Sequence, residues 1–112
     1  MSCLFCSIAE GTIPSQKAYE DDLCLVFHDI SPQAPVHLLV IPKEHIESVA
    51  AVTAENAPLV AHMMTVIAKL AEALGLDSGF RVVSNCGKDA QQSVPHLHFH
   101  LLAGRELGWP PG

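Results

Sequence analysis

The sequence predicts an α+β domain, in which an antiparallel sheet of about five strands packs against one long helix and a short N-terminal helix. One stretch in the middle of the chain carries apolar residues at helical spacing. Elsewhere, short apolar or β-branched segments alternate with turns that contain Pro, Gly or Asp. With short links throughout, the 112 residues are expected to form a single domain over 1–112, with 104–112 as a C-terminal tail.

The strands are the short segments that are rich in apolar and β-branched residues. They are predicted at Ala18–Glu20, Leu23–His28, Val36–Ile41, Phe80–Ser84 and His96–Leu102. Two prolines exclude regular helix from 31–35, and Pro42 stops the third strand, because proline lacks the N–H donor that helices and sheets need. Polar residues at 85–89 form the turn between the last two strands.

Two helices complete the predicted domain. Leu4–Glu10 predicts a short helix that is ended by a glycine. The long helix begins at Ala54 or Ala57, since Pro58 must lie near its first turn, and it runs to Leu74. Its apolar stripe consists of Leu59, Met63, Val66, Ile67, Leu70 and Leu74. This spacing is typical of a helix that buries one face against a sheet.

Composition excludes several classes of partner. The net charge is −6 with only six Lys and Arg, so a nucleic acid polymer is a poor partner. A single nucleotide remains possible, because backbone N–H groups and imidazoles can hold one phosphate. No apolar run approaches the roughly 18 residues that span a bilayer, and no signal peptide is visible, so a cytoplasmic protein without membrane contact is expected. Cys24 and Cys86 are interpreted as small packing groups rather than as disulfide partners.

Three histidines stand two residues apart near the C-terminus: His96, His98 and His100. In a strand this spacing places all three on one face, with apolar residues on the other. Three interpretations fit this pattern. The histidines are surface residues without a role, or they are ligands of a three-histidine metal site, or they form a site of covalent catalysis by one imidazole. Ordinary strands do not favour His at alternating positions. The nearest carboxylate, Glu106, lies outside the strand pattern that a cupin-type metal site would need.

The segment HLHFHLL at 96–102 resembles the signature of the histidine triad (HIT) superfamily. Further segments are similar to its Hint branch, the histidine triad nucleotide-binding proteins: FHDISPQAP at 27–35, HLLVIPK at 37–43, QSV at 92–94, GR at 104–105 and WPPG at 109–112. The resemblance implies a HIT-like fold whose sheet continues across a homodimer. It also implies a purine nucleoside phosphoramidase, which releases a nucleoside monophosphate and an amine through a covalent nucleotidyl-histidine.

Two alternatives to this activity stay open. One is a dinucleoside polyphosphate hydrolase or a nucleotidyl transferase, the chemistry of sister branches, against which the WPPG tail argues. The other is a nucleotide-binding or partner-binding module whose hydrolysis is incidental. In a homodimer the resemblance also implies that the tail at 109–112 reaches the partner's site, and Trp109 is expected to dock either on its own chain or on a partner.

The resemblance implies a role for each matching residue. The catalytic residues are His98 as nucleophile, His100 on a phosphoryl oxygen, His37 as orienting group, His96 as the first triad histidine, and Ser93 near the leaving group. The nucleotide-binding residues are Asp29 for the ribose hydroxyls, Asn85, Gln92 and Val94 near the phosphate, His28, and Leu4, Phe5, Ile8, Phe27 and Ile30 as an apolar purine slot. Taken alone, Asp29 is also a common turn residue. The chain departs from the pattern at Gln91, where glycine is usual, and at Pro95, where an aromatic is usual.

Cys3 and Cys6 form a C-x-x-C at the start of the first helix. By itself this pattern indicates no more than two half-buried thiols. Similarity to some Hint-like bacterial proteins implies a structural zinc held by this pair with His45 and His96, a chemically complete Cys₂His₂ set. A redox role is less favoured, because no thioredoxin-like βαβ pattern surrounds the pair. No organic cofactor is implied.

Overall fold

The computed structural model describes residues 3–112 and confirms the α+β class. Its elements are α1 (Leu4–Glu10), β1 (Lys17–Glu20), β2 (Cys24–His28), β3 (Val36–Pro42), a 3-10 turn (Val49–Ala51), α2 (Ala57–Ala73), β4 (Phe80–Val83) and β5 (Phe99–Ala103). The five strands form one antiparallel sheet in the order β1-β2-β3-β5-β4. The centre of the sheet is therefore the β3–β5 pair, which joins two segments far apart in sequence.

Each helix covers one face of the sheet. Because successive strand residues point to opposite faces, the buried side chains divide into two clusters. Residues on the α2 side form one buried cluster: Cys24, Val26, Leu38, Val40, Met63, Val66, Ile67 and Leu101. Residues on the α1 side form the other: Phe5, Ile8, Leu25, Phe27, Leu39 and Ile41. His37 has the same strand parity as Leu39, and His100 pairs directly with Leu39 across β3 and β5. Both histidines therefore lie on the α1 face of the sheet.

The long helix follows the predicted stripe over most of its length. It begins at Ala57 with a proline in its first turn, which decides between the two predicted starts. Met63, Val66 and Ile67 are buried against the sheet. The placement of Leu74 on the buried stripe was wrong, since its side chain is 49% exposed. The helix ends one residue earlier and Leu74 only caps it, so the periodicity no longer controls where this side chain points.

The last strand begins at Phe99, so the prediction that it begins at His96 was wrong. Continuing the β3–β5 register would bring Leu97 opposite Pro42, which has no N–H for a further ladder bond. The Leu97 N–H instead donates to the Ile46 carbonyl at 2.6 Å. Only His100 of the three histidines lies in a strand. The other two lie in the irregular segment that leads into it, which frees their rings to point in different directions.

One further prediction fails at an exposed position, and a second loses one of its two alternatives. Cys86 is exposed and is not a packing group, whereas Cys24 is fully buried as predicted. Trp109 is 82% exposed and does not dock on its own chain, the first of the two predicted docking surfaces. Within residues 3–112, neither helix is long and apolar enough to cross a membrane.

Candidate active site

His98 is a buried imidazole whose tautomer is set by one hydrogen bond. Its Nδ1 lies 2.7 Å from the His96 carbonyl oxygen, and a carbonyl only accepts, so Nδ1 carries the proton. The Nε2 atom therefore keeps its lone pair. The Phe5 ring stands perpendicular to the imidazole, with centroids 5.0 Å apart, and restricts its rotation. The Ser84 hydroxyl donates to the His98 carbonyl at 2.8 Å and anchors the backbone. The result is an oriented imidazole whose Nε2 is left for nucleophilic attack.

His37 and His100 form a chain of hydrogen bonds with a defined direction. The Gln33 backbone N–H donates to His37 Nδ1 at 3.0 Å, which places the His37 proton on Nε2. His37 Nε2 lies 2.9 Å from His100 Nδ1 and donates to it, so His100 carries its own proton on Nε2. One backbone amide thus polarises both rings. His100 Nε2–H is left as the outward-facing donor, beside the His98 ring at a centroid distance of 5.2 Å.

Burial keeps both rings of this chain neutral. Desolvation, with the neighbouring imidazoles of His98 and His37, lowers the pKa of His100 to about 4. Burial also lowers the pKa of His37, although the Asp29 carboxylate, 3.4 Å from His37 Nε2, opposes that shift. At neutral pH the site therefore offers uncharged donors and lone pairs rather than a fixed cluster of positive charge.

His96 differs from the other two histidines, because its ring points away from His98. The ring is fully buried, and its Nε2 donates to the Pro42 carbonyl at 2.9 Å. The Nδ1 lone pair then faces Cys3, which caps α1, and also Cys6 and His45. Only the backbone carbonyl of His96 touches the nucleophile candidate. The prediction that all three rings share one strand face was therefore wrong, although the rings of His98 and His100 are neighbours with centroids 5.2 Å apart.

The predicted polar ligands near these rings differ in their hydrogen-bond partners and in their burial. Asp29 Oδ1 accepts the Ser31 N–H at 2.8 Å, which is the turn geometry expected of an aspartate, while Oδ2 lies beside His37. Asn85 and Val94 are partly buried in the connection between β4 and β5, and Ser93 is exposed there. Val94 also packs against the α1-side cluster. The turn and ligand interpretations of Asp29 are thus compatible, because its two oxygens have different neighbours.

The five apolar residues of the predicted purine slot divide into two groups. Phe5, Ile8 and Phe27 are buried, at 5%, 8% and 5% exposure. Leu4 is 49% exposed and Ile30 is 99% exposed, the latter directly after Asp29. His28, the other predicted contact, is exposed at the end of β2. Of the predicted slot, only Leu4 and Ile30 are therefore accessible, and the other three belong to the buried cluster on the α1 side.

Cys3, Cys6, His45 and His96 bring four ligand atoms within 4.8 Å of one another. Cys3 Sγ lies 3.4 Å from His96 Nδ1, Cys6 Sγ lies 3.3 Å from His45 Nδ1, and the two Nδ1 atoms are 3.2 Å apart. A tetrahedral zinc with Zn–S of about 2.3 Å and Zn–N of about 2.0–2.1 Å separates its ligand atoms by about 3.3–3.8 Å. The group is therefore one that can bind a metal, and the Pro42 carbonyl supplies the outer hydrogen bond that orients a histidine ligand.

A second group of potential ligands, Asp21, Cys24 and His62, has a different character. Asp21 Oδ2 is already 2.7 Å from His62 Nε2 and 2.7 Å from the Tyr19 hydroxyl. Burial raises the pKa of the Cys24 thiol to about 12, so that the sulfur stays protonated and is a poor ligand. This group pins α2 to the β1–β2 turn.

Sequence reasoning missed three groups that organise the site. They are the Gln33 N–H, the Ser84 hydroxyl and the Pro42 carbonyl. Two of these are backbone atoms, which every residue carries, so no residue-type pattern marks them. The FHDISPQAP segment does contain Gln33, but nothing in it shows that the amide nitrogen of this residue meets a histidine ring.

This fold and this histidine arrangement are those of the HIT domain family, whose model matches residues 10–107, and the chain belongs to that family. Over 109 residues the chain is 49% identical to an uncharacterized HIT-like protein of Synechococcus elongatus, covering 97% of this chain and 96% of the relative. A HIT family hydrolase from Legionella pneumophila has a TM-score of 0.97 and 47% identity, with 99% of this chain and 100% of that chain covered. A histidine triad nucleotide-binding protein from Candida albicans has a TM-score of 0.83 and 36% identity, with 97% and 83% covered.

Proposed function

We propose that this protein hydrolyses purine nucleoside phosphoramidates through a covalent nucleotidyl-histidine on His98. The observation that carries the proposal is the bond from His98 Nδ1–H to the His96 carbonyl, which leaves Nε2 as the free nucleophile. A hydrolase agrees with the HIT family hydrolase from Legionella, and a nucleotide ligand agrees with the name of the Candida protein. Membership of the Hint branch would also explain the similar segments outside the triad, such as FHDISPQAP at 27–35, which the triad motif alone does not require.

The reaction proceeds in two displacements at the α-phosphorus. His98 Nε2 attacks the phosphorus, the P–N bond to the amine breaks, and the leaving nitrogen takes a proton from Ser93 or water as it departs. The nucleotidylated imidazole keeps its Nδ1 proton and is cationic, and the His96 carbonyl, 2.7 Å away, stabilises that charge. Water then attacks the same phosphorus and gives its proton to the group that protonated the amine, the P–N bond to His98 breaks, and a nucleoside monophosphate leaves with the histidine restored.

Charge on the phosphoryl oxygens is met by neutral donors. His100 Nε2–H faces outward from the polarised His37–His100 pair and donates to one oxygen. The Val94 N–H and the Asn85 side chain supply further donors from the β4–β5 connection. Asp29 accepts from the ribose hydroxyls through the oxygen that its turn bond leaves available. The purine lies against Leu4 and Ile30, the two exposed walls of the apolar slot.

Intact-mass spectrometry after brief exposure to an adenosine phosphoramidate tests the proposal. The expected result is an added mass of one adenylyl group that maps to His98 and is lost in His98→Ala. His62→Gln is the matched control, because this histidine lies on α2 and bonds Asp21, outside the site. An adduct that persists in His98→Ala would refute the covalent mechanism. Faster turnover of a dinucleoside polyphosphate than of any phosphoramidate would favour the sister-branch chemistry, and slow turnover of every substrate would favour a binding module.

We further propose that the Cys3, Cys6, His45 and His96 group holds a structural zinc. Four of the separations between these ligand atoms, at 3.2–3.5 Å, support it, as does the burial that lowers the pKa of His96 and keeps its Nδ1 lone pair available. A metal there would tie α1, which carries Phe5, to the segment that carries the nucleophile. Four free cysteines favour a reducing compartment such as the cytoplasm.

Metal analysis of Cys6→Ser beside Cys86→Ser distinguishes this site from adventitious binding. Wild type and Cys86→Ser are expected to carry about one zinc per chain, and Cys6→Ser much less, because only Cys6 belongs to the group. Cys86 is a suitable control since it is an exposed free cysteine of the same chain. Equal zinc content in all three proteins, or none in wild type, would contradict the proposal.

We also propose a homodimer formed through β4. This strand is an edge of the sheet, and Phe80 and Val82 on one of its faces are 43% and 37% exposed. An exposed edge with large apolar residues favours pairing with a second copy. The exposed Trp109 would then meet the partner. Sedimentation velocity should give a dimer for wild type and a monomer for Phe80→Glu, and a monomeric wild type would exclude this assembly.

A further inference from the structure

The Gln92 side chain joins three separate segments around the β4–β5 connection. Its Oε1 accepts the Gly87 N–H at 3.0 Å. Its Nε2 donates to the Glu47 carbonyl at 2.8 Å and to the Val94 carbonyl at 3.0 Å. The Gln92 backbone N–H also donates to the Gly87 carbonyl at 3.1 Å. Both amide hydrogens and the amide oxygen are therefore engaged with backbone groups.

Two of these bonded positions, Gly87 and Val94, lie in the stretches that carry the proposed phosphate donors, and the third, Glu47, lies outside the β4–β5 connection. Gly87 follows Asn85 by two residues, and Val94 carries the proposed N–H donor next to Ser93. No ladder bonds of the sheet hold this connection, since β4 ends at Val83 and β5 begins at Phe99. The side-chain amide of Gln92 holds the loop instead, because it bonds Gly87 on one side of the loop and Val94 on the other.

We infer that Gln92 is a positioning residue that aligns the phosphate donors of Asn85, Ser93 and Val94, and that it does not itself bind the nucleotide. This inference rests on the proposed function. The family resemblance places Gln92 among the nucleotide contacts, yet its amide has no hydrogen left for a ligand. Losing the three bonds would let the loop shift, and displacement of reacting groups by about 1 Å costs on the order of a hundredfold in rate.

The test compares AMP with adenosine, which lacks the phosphate. Gln92→Ala should weaken AMP binding about tenfold, while adenosine binding changes less than twofold, because the base and ribose contacts lie on other segments. It should also lower kcat more than it raises KM. Gln91→Ala is the matched control, since Gln91 is the adjacent glutamine and is exposed, and substitution by another L residue retains its backbone geometry. This control should leave both affinities unchanged.

A second variant and two contrary results keep the inference open to refutation. Gln92→Glu retains the acceptor for Gly87 but turns an oxygen toward two carbonyls, so it should lose AMP affinity as Gln92→Ala does. If the alanine variant does not fold, the AMP affinity of Gln92→Glu tests the inference in its place. Unchanged AMP binding would overturn the inference, and so would equal losses for AMP and adenosine. If wild type forms the His98 adduct and Gln92→Ala forms it equally fast, this inference alone fails. If wild type forms no adduct and prefers AMP no more than adenosine, the proposed function fails with it.

Discussion

The neutral His100 ring makes the fold sensitive to mild acid, and the size of the effect follows from its pKa. Burial beside His98 and His37 lowers that pKa from an ordinary 6.5 to about 4. Between these values the unfolded chain binds a proton that the folded chain rejects, so falling pH favours unfolding and rising pH restores stability. Between pH 7 and pH 5 the loss from this group is about 2 kcal/mol, and it is complete only below pH 4.

The assay is urea unfolding at pH 7 and at pH 5 for wild type and His100→Gln. Far-UV circular dichroism is the suitable signal, because the single tryptophan is already 82% exposed in the native state. Wild type should lose about 2 kcal/mol more than His100→Gln over this interval, since glutamine does not titrate. Contributions from the rest of the chain are common to both proteins and cancel in the difference, provided the chain concentration is held constant.

The exposed histidine His28 supplies the control substitution for this comparison. His28→Gln should leave the wild-type pH dependence in place, because it removes an exposed histidine and leaves His100 and its neighbours unchanged. Equal pH dependence in wild type and His100→Gln would refute the argument that burial excludes the proton from His100. A steeper dependence in the variant would show instead that the ring is stabilised as a cation.

Three further substitutions probe the backbone and the core. Gly104→Ala should lower the free energy of unfolding by about 2 kcal/mol, because Gly104 has φ +94° and an added Cβ would lie 2.8 Å from Pro35 Cβ; an unchanged urea midpoint would contradict this. Gln91→Gly should raise the free energy of unfolding by about 0.5 kcal/mol and so raise the melting temperature, since Gln91 holds a left-handed φ of 60°. A lower melting temperature would contradict that strain. Met63→Ala should cost about 3 kcal/mol in urea unfolding, as its side chain is fully buried, whereas the 37% exposed Met64→Ala should cost less than about 0.5; similar losses would refute the assigned helix face.

Local sequence patterns predicted the elements well because they encode backbone preferences directly. The apolar spacing predicted α2 with Ala57 as one of two possible starts and an end one residue too late, and the β-branched run placed β3 almost to its ends. The errors fall where a long-range partner decides. The strand predicted from His96 begins at Phe99, because the register with β3 brings a proline opposite Leu97. Cys86 was expected to pack, yet the connection that carries it lies at the surface.

The sequence by itself determined which chemistry is available: alternating histidines, a C-x-x-C pair and an aspartate before a turn. Only the tertiary structure decided what each group does. Pairing β3 with β5 joins His37 to His100 across 63 positions, and packing α1 on the sheet joins Cys3 to His96 across 93. Sequence periodicity describes the direction of a side chain on its own element. A tautomer or a ligand group depends on atoms from distant elements, and those meet only when the helices and strands pack.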